Sequence, residues 1–484
     1  MKIAIAYPPL PSEKGVPLLS QNRQFQWFHQ PTYIYPVVPA YAATMARDAG
    51  HAVTWLDGIS AGMNGGEFLA ALAEAAPDLV LLETKTPVVR ATWDWVATIK
   101  RHIPGAQVAI CGDHVTALPE ETMENSQVDY ILTGGDYDFL LVNLAAHIEN
   151  QSVPLEPGIW MRGEDGATTN TGPFRLDHDL NALPTIDREL TDWRRYSVRN
   201  GNYRRTPGAY IMAGRDCWHG RCTFCSWTTL YPSYRTRSPE SVADEVGMLI
   251  ERYGVREIMD DTGCFPVGDW LRRFCNLMIE RGYNKKIYFD CNMRFGALSA
   301  EDCRLMKKAG FRFVLFGFES ANQATLDLIN KKLKVEDIRE GAKVASEAGL
   351  DVHVTVMLGY PWENSVEIER TVELARELLR RGWAYTLQAT MVIPYPGTPL
   401  FRECKEKGLL LTERWEDFDM RTQIMRTPVS EDEIKCAIRS IYRGFLHPQA
   451  LWNRLLHTRH PIEDARFYLR GAISLLGHLR DFGG

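Results

Sequence analysis

Short apolar runs alternate with amphipathic segments through the first 150 residues of the chain. Runs with the length and composition of buried strands lie at 2–6, 52–56, 79–82, 107–111 and 130–132. Strands that alternate with helical segments in this way are typical of a parallel, doubly wound sheet. We therefore expect an α/β domain over residues 1–150, with its ligand loops at the carboxyl ends of the strands.

A second series of strand and helix repeats runs from about residue 206 to residue 400. Strands are predicted near 209–213, 256–260, 287–291, 312–318, 352–358 and 384–393. Ser238 followed by Pro239 predicts a helix start, and Ser299 with Asp302 predicts a capping box. Six βα units of this kind fit a partial barrel, in which reactive residues gather at the carboxyl ends of the strands.

Two further segments connect and complete these domains. Residues 151–205 are expected to form a bridge with a small hairpin, because Asp165-Gly166 supplies a positive-φ turn. Residues 401–484 are predicted to form a helical C-terminal domain, whose stretch 434–480 is richer in basic than in acidic side chains. We expect this tail to pack across the mouth of the barrel, with peripheral contact to a membrane as the alternative.

Composition and charge narrow the classes of protein. At 484 residues and 45% hydrophobic composition, the chain can bury substantial cores in two or three domains. A formal net charge of -6 gives no electrostatic reason to expect nucleic-acid binding. The sequence has no apolar run of about 20 residues and no signal-like start, so the cytoplasm is the expected location. The ten cysteines, three of them clustered, fit reduced thiols and a metal site.

The clustered cysteines are Cys217, Cys222 and Cys225, directly after the strand predicted at 209–213. Three thiolates without a fourth cysteine nearby suit a 4Fe-4S cluster with one open iron, because complete ligation normally takes four cysteines. A structural zinc site completed by His219 is the alternative, since zinc accepts tetrahedral N/S ligation. His219 lies only two residues from Cys217, so we favour the cluster.

This cysteine motif resembles the signature of the radical S-adenosylmethionine (SAM) superfamily. The usual signature has three and then two residues between its cysteines, whereas this chain has four and two. Phe224 matches the aromatic residue that the family carries before the third cysteine. The resemblance implies a partial barrel that binds the cluster and SAM at its mouth, within a loop that the extra residue widens.

The same resemblance implies SAM contacts at the ends of successive barrel strands. An acidic residue after the second strand would meet the amino group, and Arg294 would meet the carboxylate. Gly359-x-Pro361-x-Glu363 resembles the family's Gly-x-Pro-Gly-Glu turn. The implied SAM-binding residues are Phe224, Asp260, Asp261, Asn292, Arg294, Glu319, Ser320, Gly359 and Glu363.

The first domain resembles the cobalamin-binding domain of the cobalamin-dependent radical SAM branch, in the order of its strand-end loops. No Gly-x-Gly-x-x-Gly follows the first strand, which argues against a dinucleotide. The cobalt-ligating motif Asp-x-His-x-x-Gly is absent, so His114 is not expected to bind cobalt. An empty crevice that only supports the barrel is the alternative. The implied cobalamin contacts are Thr84, Thr86, Gly112, Asp113, His114, Thr116, Leu118, Gly134 and Gly135.

Over nearly its whole length the chain resembles the hopanoid-biosynthesis-associated and anaerobic Mg-protoporphyrin cyclase-like members of this branch. The resemblance implies reductive cleavage of SAM to a 5'-deoxyadenosyl radical and methylation of an unactivated carbon. The alternatives are cyclisation, ring contraction or rearrangement without net methyl transfer, and a nonenzymatic cobalamin or zinc-binding protein.

Two further expectations concern catalysis and partners. Cys264 and Cys291 fall near strand ends and are candidate hydrogen or proton donors, with buried, inert thiols as the competing interpretation. The expected partners are a small-molecule or lipid-like substrate and an electron donor such as flavodoxin or ferredoxin.

Overall fold

Two largely parallel sheets, one after the other along the chain, organise the structure. The computed structural model describes residues 1–18, 25–29, 32–201, 203–456 and 461–481. The first strands are β1 (Lys2–Tyr7), β2 (Val16–Leu18), β3 (Gln26–Phe28), β4 (Ala52–Asp57), β5 (Leu79–Glu83), β6 (Gln107–Cys111), β7 (Tyr130–Leu132), β8 (Ile159–Arg162) and β9 (Thr168–Asn170). The first sheet has the order β4-β1-β5-β6-β7-β8-β9, parallel as far as β7 and antiparallel beyond it.

The second sheet is the partial barrel. Its part of the chain contains β10 (Gly208–Ile211), β11 (Gly214–Arg215), β12 (Arg235–Thr236), β13 (Glu257–Asp260), β14 (Tyr288–Met293), β15 (Phe311–Glu319), β16 (Asp351–Leu358) and β17 (Thr386–Met391). Six of these strands pair in parallel in the order β10-β13-β14-β15-β16-β17. Because all six run the same way, their carboxyl ends meet at one rim, which is the mouth of the barrel.

Helices connect the strands and follow the barrel. The structure contains α1 (Val37–Asp48), α2 (Gly58–Ala61), α3 (Gly65–Ala75), α4 (Val89–His102), α5 (Asp113–Ala117), α6 (Pro119–Asn125), α7 (Tyr137–Glu149), α8 (Arg194–Val198), α9 (Trp227–Leu230), α10 (Pro239–Tyr253), α11 (Asp269–Glu280), α12 (Ala300–Lys308), α13 (Gln323–Leu328), α14 (Val335–Glu347), α15 (Ser365–Arg381), α16 (Pro399–Glu406), α17 (Glu431–Arg443), α18 (Pro448–Leu456) and α19 (Pro461–Asp481). Within the described residues, none of these helices is both long enough and apolar enough to cross a membrane.

The predicted fold class and helix starts are confirmed. The side chain of Ser238 accepts a hydrogen bond from the N–H of Ser241, with Pro239 in the first turn of α10. Ser299 and Asp302 form the predicted capping box of α12. The predicted hairpin also forms as β8 and β9, and it extends the first sheet instead of standing alone. The small antiparallel pairs β2-β3 and β11-β12 were not predicted, because each strand has only two or three residues.

The position expected for the C-terminal tail, across the mouth of the barrel, is wrong for α19. Phe467, near the start of α19, stacks on Tyr385 with ring centroids 6.1 Å apart, and Tyr385 lies just before β17. The guanidinium of Arg312, at the start of β15, lies 6.0 Å from the same ring. This end of α19 therefore covers the amino end of the barrel, opposite the mouth, because the apolar ring finds aromatic and cationic partners there.

Candidate active site

The loop between β11 and α9 carries the three clustered cysteines and opens on a cavity of about 190 Å³. Cys217, Cys222 and Cys225 line this cavity together, and each is partly exposed. The N–H of Cys225 donates to the carbonyl of Cys222 (3.3 Å), which closes the turn between the last two cysteines. Three thiols around one open space fit three corners of a 4Fe-4S cluster.

His219, the residue that would complete a zinc site, stabilises this loop. Its Nε2 donates a hydrogen bond to the carbonyl of Asn330 at 2.7 Å. The imidazole is thus engaged by the loop between α13 and α14.

Charged and polar side chains from the barrel form one wall of the cavity. Nζ of Lys331 donates to Oε1 of Glu319 at 2.7 Å, and both side chains are buried. Burial acts to lower the pKa of Lys331, but Glu319 and Cys222 raise it above its usual value, so the ammonium group stays charged. Arg294 donates to the carbonyl of Lys331 and lies beside it in the lining.

The rest of the lining is more apolar and is called the apolar wall. It is formed by residues of β15, β16 and β17 and by three residues that follow the barrel strands, Ile393, Tyr395 and Met420. Met420 is held at a φ of 68°, which is unusual for a residue with a side chain. The remaining lining residues of this wall are Leu315, Gly317, Thr355, Met357 and Gln388.

The predicted SAM contacts divide between the cavity and its surroundings. Phe224, Asn292, Arg294 and Glu319 line the cavity. Asp260 lies outside that lining, where its carboxylate accepts hydrogen bonds from the N–H groups of Ala213 (2.7 Å) and Thr262 (2.9 Å). Burial raises the pKa of Asp260 to about 6, against the effect of those hydrogen bonds. Asp261 is buried beside it.

Ser320, Gly359 and Glu363 also lie outside the lining of this cavity. The hydroxyl groups of Ser320 (2.6 Å) and Thr325 (2.7 Å) donate to Glu363, so this carboxylate fixes the loop after β15. A β-carbon at Gly359 would lie 3.0 Å from Ile434 of α17, so this glycine allows close packing of the C-terminal region. Their assignment to SAM stays a prediction.

The two cysteines predicted as hydrogen donors are fully buried. Cys264 follows β13, and its thiol makes a hydrogen bond to Cys217 that lowers the pKa of Cys217 to about 6, with burial acting in the opposite direction. Burial raises the pKa of both Cys264 and Cys291 well above the usual value. Neither belongs to the cavity lining that the structure describes, and their catalytic role stays a prediction.

At the carboxyl edge of the first sheet, His114 is held between protein groups. Its Nδ1 lies 3.2 Å from the hydroxyl of Thr86, and its Nε2 lies 3.2 Å from the carboxylate of Glu121. The ring of Trp415 packs edge-on at 5.0 Å between centroids. Both ring nitrogens thus have partners within the protein, and the role of His114 toward cobalamin stays a prediction.

Tight turns bring the other predicted cobalamin contacts together. Gly112 has a φ of 128°, and a β-carbon there would lie 2.1 Å from the carbonyl oxygen of Thr84, so only glycine fits. The hydroxyl of Thr116 donates to the carbonyl of Gly112 (2.7 Å) and accepts from the N–H of Gly134 (3.1 Å). Leu118 follows, partly buried against the core. Three strand-end loops are therefore fixed relative to one another.

Gly134 and Gly135 lie under aromatic side chains. A β-carbon at Gly134 would lie 2.4 Å from the ring of Phe174, and one at Gly135 would lie 1.9 Å from the ring of Tyr231. The hydroxyl of Tyr231 also donates to the carbonyl of Gly135 at 2.9 Å. Gly134 thus allows close packing of the bridge, and Gly135 allows close packing of the segment that follows the cysteine loop.

The carboxyl edge of the first sheet faces the mouth of the barrel. Tyr395, in the cavity wall, is close enough to Asp113 that this carboxylate adds to the effect of burial in raising the pKa of the phenol. A β-carbon at Gly397 would lie 2.7 Å from Thr229, which follows the cysteines, and 2.9 Å from Ala117 of α5. The cysteine loop and the first domain's strand-end loops therefore share one boundary.

A buried ion network fixes this boundary. Arg215, two residues before Cys217, donates to Asp136 at 3.0 Å and to Asp138 at 2.5 Å. Arg235 and His178 also bind Asp136, at 2.6 Å and 3.0 Å. Burial acts to raise the pKa of Asp136, but His178 and the two arginines hold it below its usual value. The cysteine loop is thus anchored to the first domain.

Two family models match the chain. The model described as "Radical SAM superfamily" matches residues 211–375, and the model described as "B12 binding domain" matches residues 31–139. The chain belongs to the cobalamin-binding branch of the radical SAM superfamily. Members of this branch use a 4Fe-4S cluster, SAM and cobalamin, and the family match covers both the cysteine loop and the strand-end loops described above.

Relatives and solved structures agree with this assignment. An uncharacterized methyltransferase of Pyrococcus horikoshii is 27% identical over 429 residues, which cover 86% of this chain and 89% of the relative. An anaerobic magnesium-protoporphyrin IX monomethyl ester cyclase of Cereibacter sphaeroides is 24% identical and covers 86% of this chain and 68% of its own. The cobalamin-dependent SAM radical enzyme OxsB has the same fold, with a TM-score of 0.72 at 13% identity over 99% of this chain and 71% of its own.

Sequence reasoning missed several residues of the cavity. Asp216 lines the cavity but was not predicted to do so, although its position next to Cys217 could have indicated it. Lys331 lies between two helices, where the strand-end rule gives no indication. Gln388 and Met420 come from a strand interior and from a segment beyond the barrel, and their side chains reach the cavity only through tertiary folding.

Proposed function

We propose that this radical SAM protein is a C-methyltransferase that acts on an unactivated carbon of a small molecule. The single observation that carries the proposal is the shared boundary between the cysteine cavity and the strand-end loops of the B12-binding domain. When bound, the reduced cluster with SAM supplies a 5'-deoxyadenosyl radical, and cobalamin supplies a methyl group. Sites that face each other support passage of a methyl group to a substrate held between them.

The chain's own residues would hold and orient these groups. Cys217, Cys222 and Cys225 are the thiolate ligands for the cluster. SAM presents an ammonium group, a carboxylate and a ribose, and the polar wall offers partners of matching charge: Asp216 and Glu319 as acceptors, and Arg294 and Lys331 as donors. Because these side chains are buried, they need little reorganisation when SAM binds.

The apolar wall supports a substrate with a large hydrophobic part. Leu315, Met357 and Ile393 exclude water from the cavity, and the amide of Gln388 provides a polar contact among them. A dry wall matters because it protects a reactive intermediate from solvent. We infer an apolar or amphipathic small molecule, with lipid-like substrates included.

The deciding experiment is anaerobic reconstitution with iron, sulfide and cobalamin, followed by assay with SAM and a strong chemical reductant. We expect 5'-deoxyadenosine to form, and a label in the SAM methyl group to appear on cobalamin. With a turned-over substrate, the product should gain one methyl group in mass. Cys222→Ala should give neither result, and a wild-type protein that fails to cleave SAM would contradict the proposal.

Radical ring formation or rearrangement is the second candidate, and the similarity to the magnesium-protoporphyrin cyclase favours it. That reaction would use the same cavity and would also yield 5'-deoxyadenosine. Product mass separates the two candidates, because cyclisation changes the hydrogen count without adding a methyl carbon. Turnover without a mass gain of one methyl group would replace methyl transfer by this reaction.

The cluster also requires a suitable compartment and a source of electrons. We infer a reducing compartment such as the cytoplasm and a one-electron donor protein, because a 4Fe-4S cluster must be reduced for each cleavage of SAM.

We also infer peripheral contact with a membrane through α18 and α19, where Leu451, Trp452, Leu469, Ile473 and Leu476 are exposed. Co-sedimentation with anionic vesicles tests this contact, and protein that stays in the supernatant would contradict it.

A further inference from the structure

We propose that the outer surface of the cysteine loop, together with the loop between α13 and α14, is the docking site for an acidic electron-carrier protein. This inference rests on the proposed function, since only a redox cluster needs such a partner. We call the surface the basic rim, and it consists of Trp218, Arg221, Leu328, Lys332 and Lys334.

Hydrogen bonds join the two loops of the basic rim into one surface. The N–H of Thr223 donates to the carbonyl of Ile329 (3.0 Å), and Nδ2 of Asn330 donates to the carbonyl of Arg221 (3.1 Å). The imidazole of His219 makes the third link, to the carbonyl of Asn330 (2.7 Å). The rim is therefore linked directly to the loop that carries the cysteines.

The backbone of the second loop turns its lysines in opposite directions. Asn330 and Lys332 have φ values of 53° and 50°, which side-chain-bearing residues adopt only where the surrounding structure holds them. Between them, Lys331 points inward and is buried in the cavity wall. Lys332 and Lys334 are exposed. A single short loop thus supplies one cation to the cavity and two to the surface.

The charge of the basic rim selects an acidic partner. Arg221, Lys332 and Lys334 are exposed, and within the described residues no carboxylate lies within ion-pair distance of their side chains. Two exposed acids flank these lysines in sequence: Glu336 lies in the first turn of α14, and Asp327 lies in α13, where Nε2 of Gln323 donates to its carboxylate at 3.0 Å. A cluster of one sign attracts a protein of the opposite sign and raises the association rate.

Two large apolar side chains lie among these charges. Trp218 is 37% exposed and Leu328 is 55% exposed. The ring of Trp218 also lies 5.2 Å from the guanidinium of Arg294, which lines the cavity, so this indole spans the distance from the surface to the cavity wall. A small apolar centre with a charged rim is the pattern of transient electron-transfer contacts, which bury little area and exchange quickly.

The test compares two sources of electrons for the same reconstituted holoenzyme. Flavodoxin in its hydroquinone form is the probe for the acidic carrier, and dithionite is the small reductant that needs no docking. The variant is Lys332→Glu/Lys334→Glu. Its matched control is Lys285→Glu/Lys286→Glu, which reverses two exposed lysines just before β14, at the amino end of the barrel.

We expect the rim variant to raise the KM for flavodoxin by about 10-fold or more and to weaken the salt dependence of that KM, because exposed charges steer association and are screened by salt. SAM cleavage with dithionite should match wild type in both variants. The control variant and the charge-conserving Lys332→Arg/Lys334→Arg should keep the wild-type KM for flavodoxin.

Three results would overturn the docking site. These are an unchanged KM in the rim variant, an equal rise in the control variant, or a loss of dithionite-supported cleavage that shows damage to the cluster. Anaerobic titration of flavodoxin binding separates this inference from the proposed function. Wild type that binds flavodoxin through the rim but fails to cleave SAM with dithionite would refute the function and leave the docking site standing.

Discussion

The two ends of the partial barrel use the same kinds of side chain in different ways. At the amino end, Arg312 donates to Glu257 and Asp290 at 2.8 Å each, and Phe467 of α19 covers the network. At the carboxyl end, Lys331 pairs with Glu319, but both side chains border an open cavity. One network is closed by the protein, and the other is open to a ligand.

This difference separates the charged residues that stabilise the fold from those that can bind a ligand, which residue type alone does not do. Both ends hold buried arginine, aspartate and glutamate, so composition alone does not identify the active site. A buried charge that is fully paired stabilises or specifies the fold, whereas charges that face a cavity are available to a bound molecule. Substitutions at the amino end should therefore lower stability, and substitutions at the carboxyl end should lower ligand affinity.

The largest effect is expected at the cysteines. Cys222→Ala removes one of the three thiolates, so iron and sulfide content should fall to near zero and SAM cleavage should be lost. Cys303→Ala is the control, because Cys303 is buried on α12, away from the cavity. It should cost stability only and keep the cluster. Iron and sulfide assays on both variants measure the cluster content. A full cluster in Cys222→Ala would show that Cys222 is not a ligand.

The next largest effect is expected at the closed end. Arg312→Met leaves Glu257 and Asp290 buried without their cation, which should lower the free energy of unfolding by about 3–5 kcal/mol. The cluster content of the folded fraction should not change. Arg273→Met is the matched control, since its pair with Glu240 is exposed and contributes about 1 kcal/mol or less. Denaturant unfolding measures the loss of stability in both variants. Equal losses would contradict the distinction between the buried network and the exposed pair.

Much of this arrangement could be predicted from the sequence, and the limits have physical causes. Strand positions follow from apolar runs, so β6 and β7 match their predicted bounds residue for residue. Cys217, Cys222 and Cys225 carry their own signal in their spacing. Ser320 and Glu363 have the right residue types at the right strand ends, but whether such a pair faces the cavity or a neighbouring loop depends on rotation of the loop, which spacing does not encode.

The tail shows a second limit. The sequence of α19 indicates an amphipathic helix, and either end of the barrel offers an apolar surface to cover. The choice depends on Phe467 meeting Tyr385 and Arg204, which come together only after the barrel has formed. Contacts between residues far apart in the sequence leave no local pattern. The position of α19 and the place of Lys331 in the cavity wall therefore could not be predicted from the sequence.

A moderate effect is expected at the open end. Lys331→Met removes a charged donor from the cavity wall, and hydrogen bonds to charged groups contribute about 1.5–3 kcal/mol. The affinity for SAM should therefore fall by roughly 10- to 150-fold, while the free energy of unfolding changes less than in Arg312→Met. Equilibrium binding of SAM to the reconstituted protein measures this loss. Lys286→Met, at an exposed lysine of the amino end, is the control and should bind SAM as wild type does.

The smallest effect is expected at the domain boundary, which lies beside the open end but is paired like the closed one. Asp136→Asn keeps the size of the side chain and removes its charge, so we expect a loss of about 1–3 kcal/mol in the free energy of unfolding. SAM affinity per folded molecule should not change. If the SAM affinity of Asp136→Asn fell as far as that of Lys331→Met, proximity to the cavity would determine ligand binding more than ion pairing within the protein does.

The pH dependence of this variant sharpens the test. The pKa of Asp136 is lowered by folding, so its contribution is present above the unfolded value of about 3.9 and is lost as pH falls through the folded value. Burial acts to lower the pKa of His178, but Asp136 and Glu156 raise it, so its contribution is present below about 6.5 and is lost as pH rises through the folded value. Wild type should therefore exceed Asp136→Asn in stability most between about pH 4 and 6.5. A difference that stays constant with pH, measured by thermal unfolding, would show that these charges do not hold the boundary together.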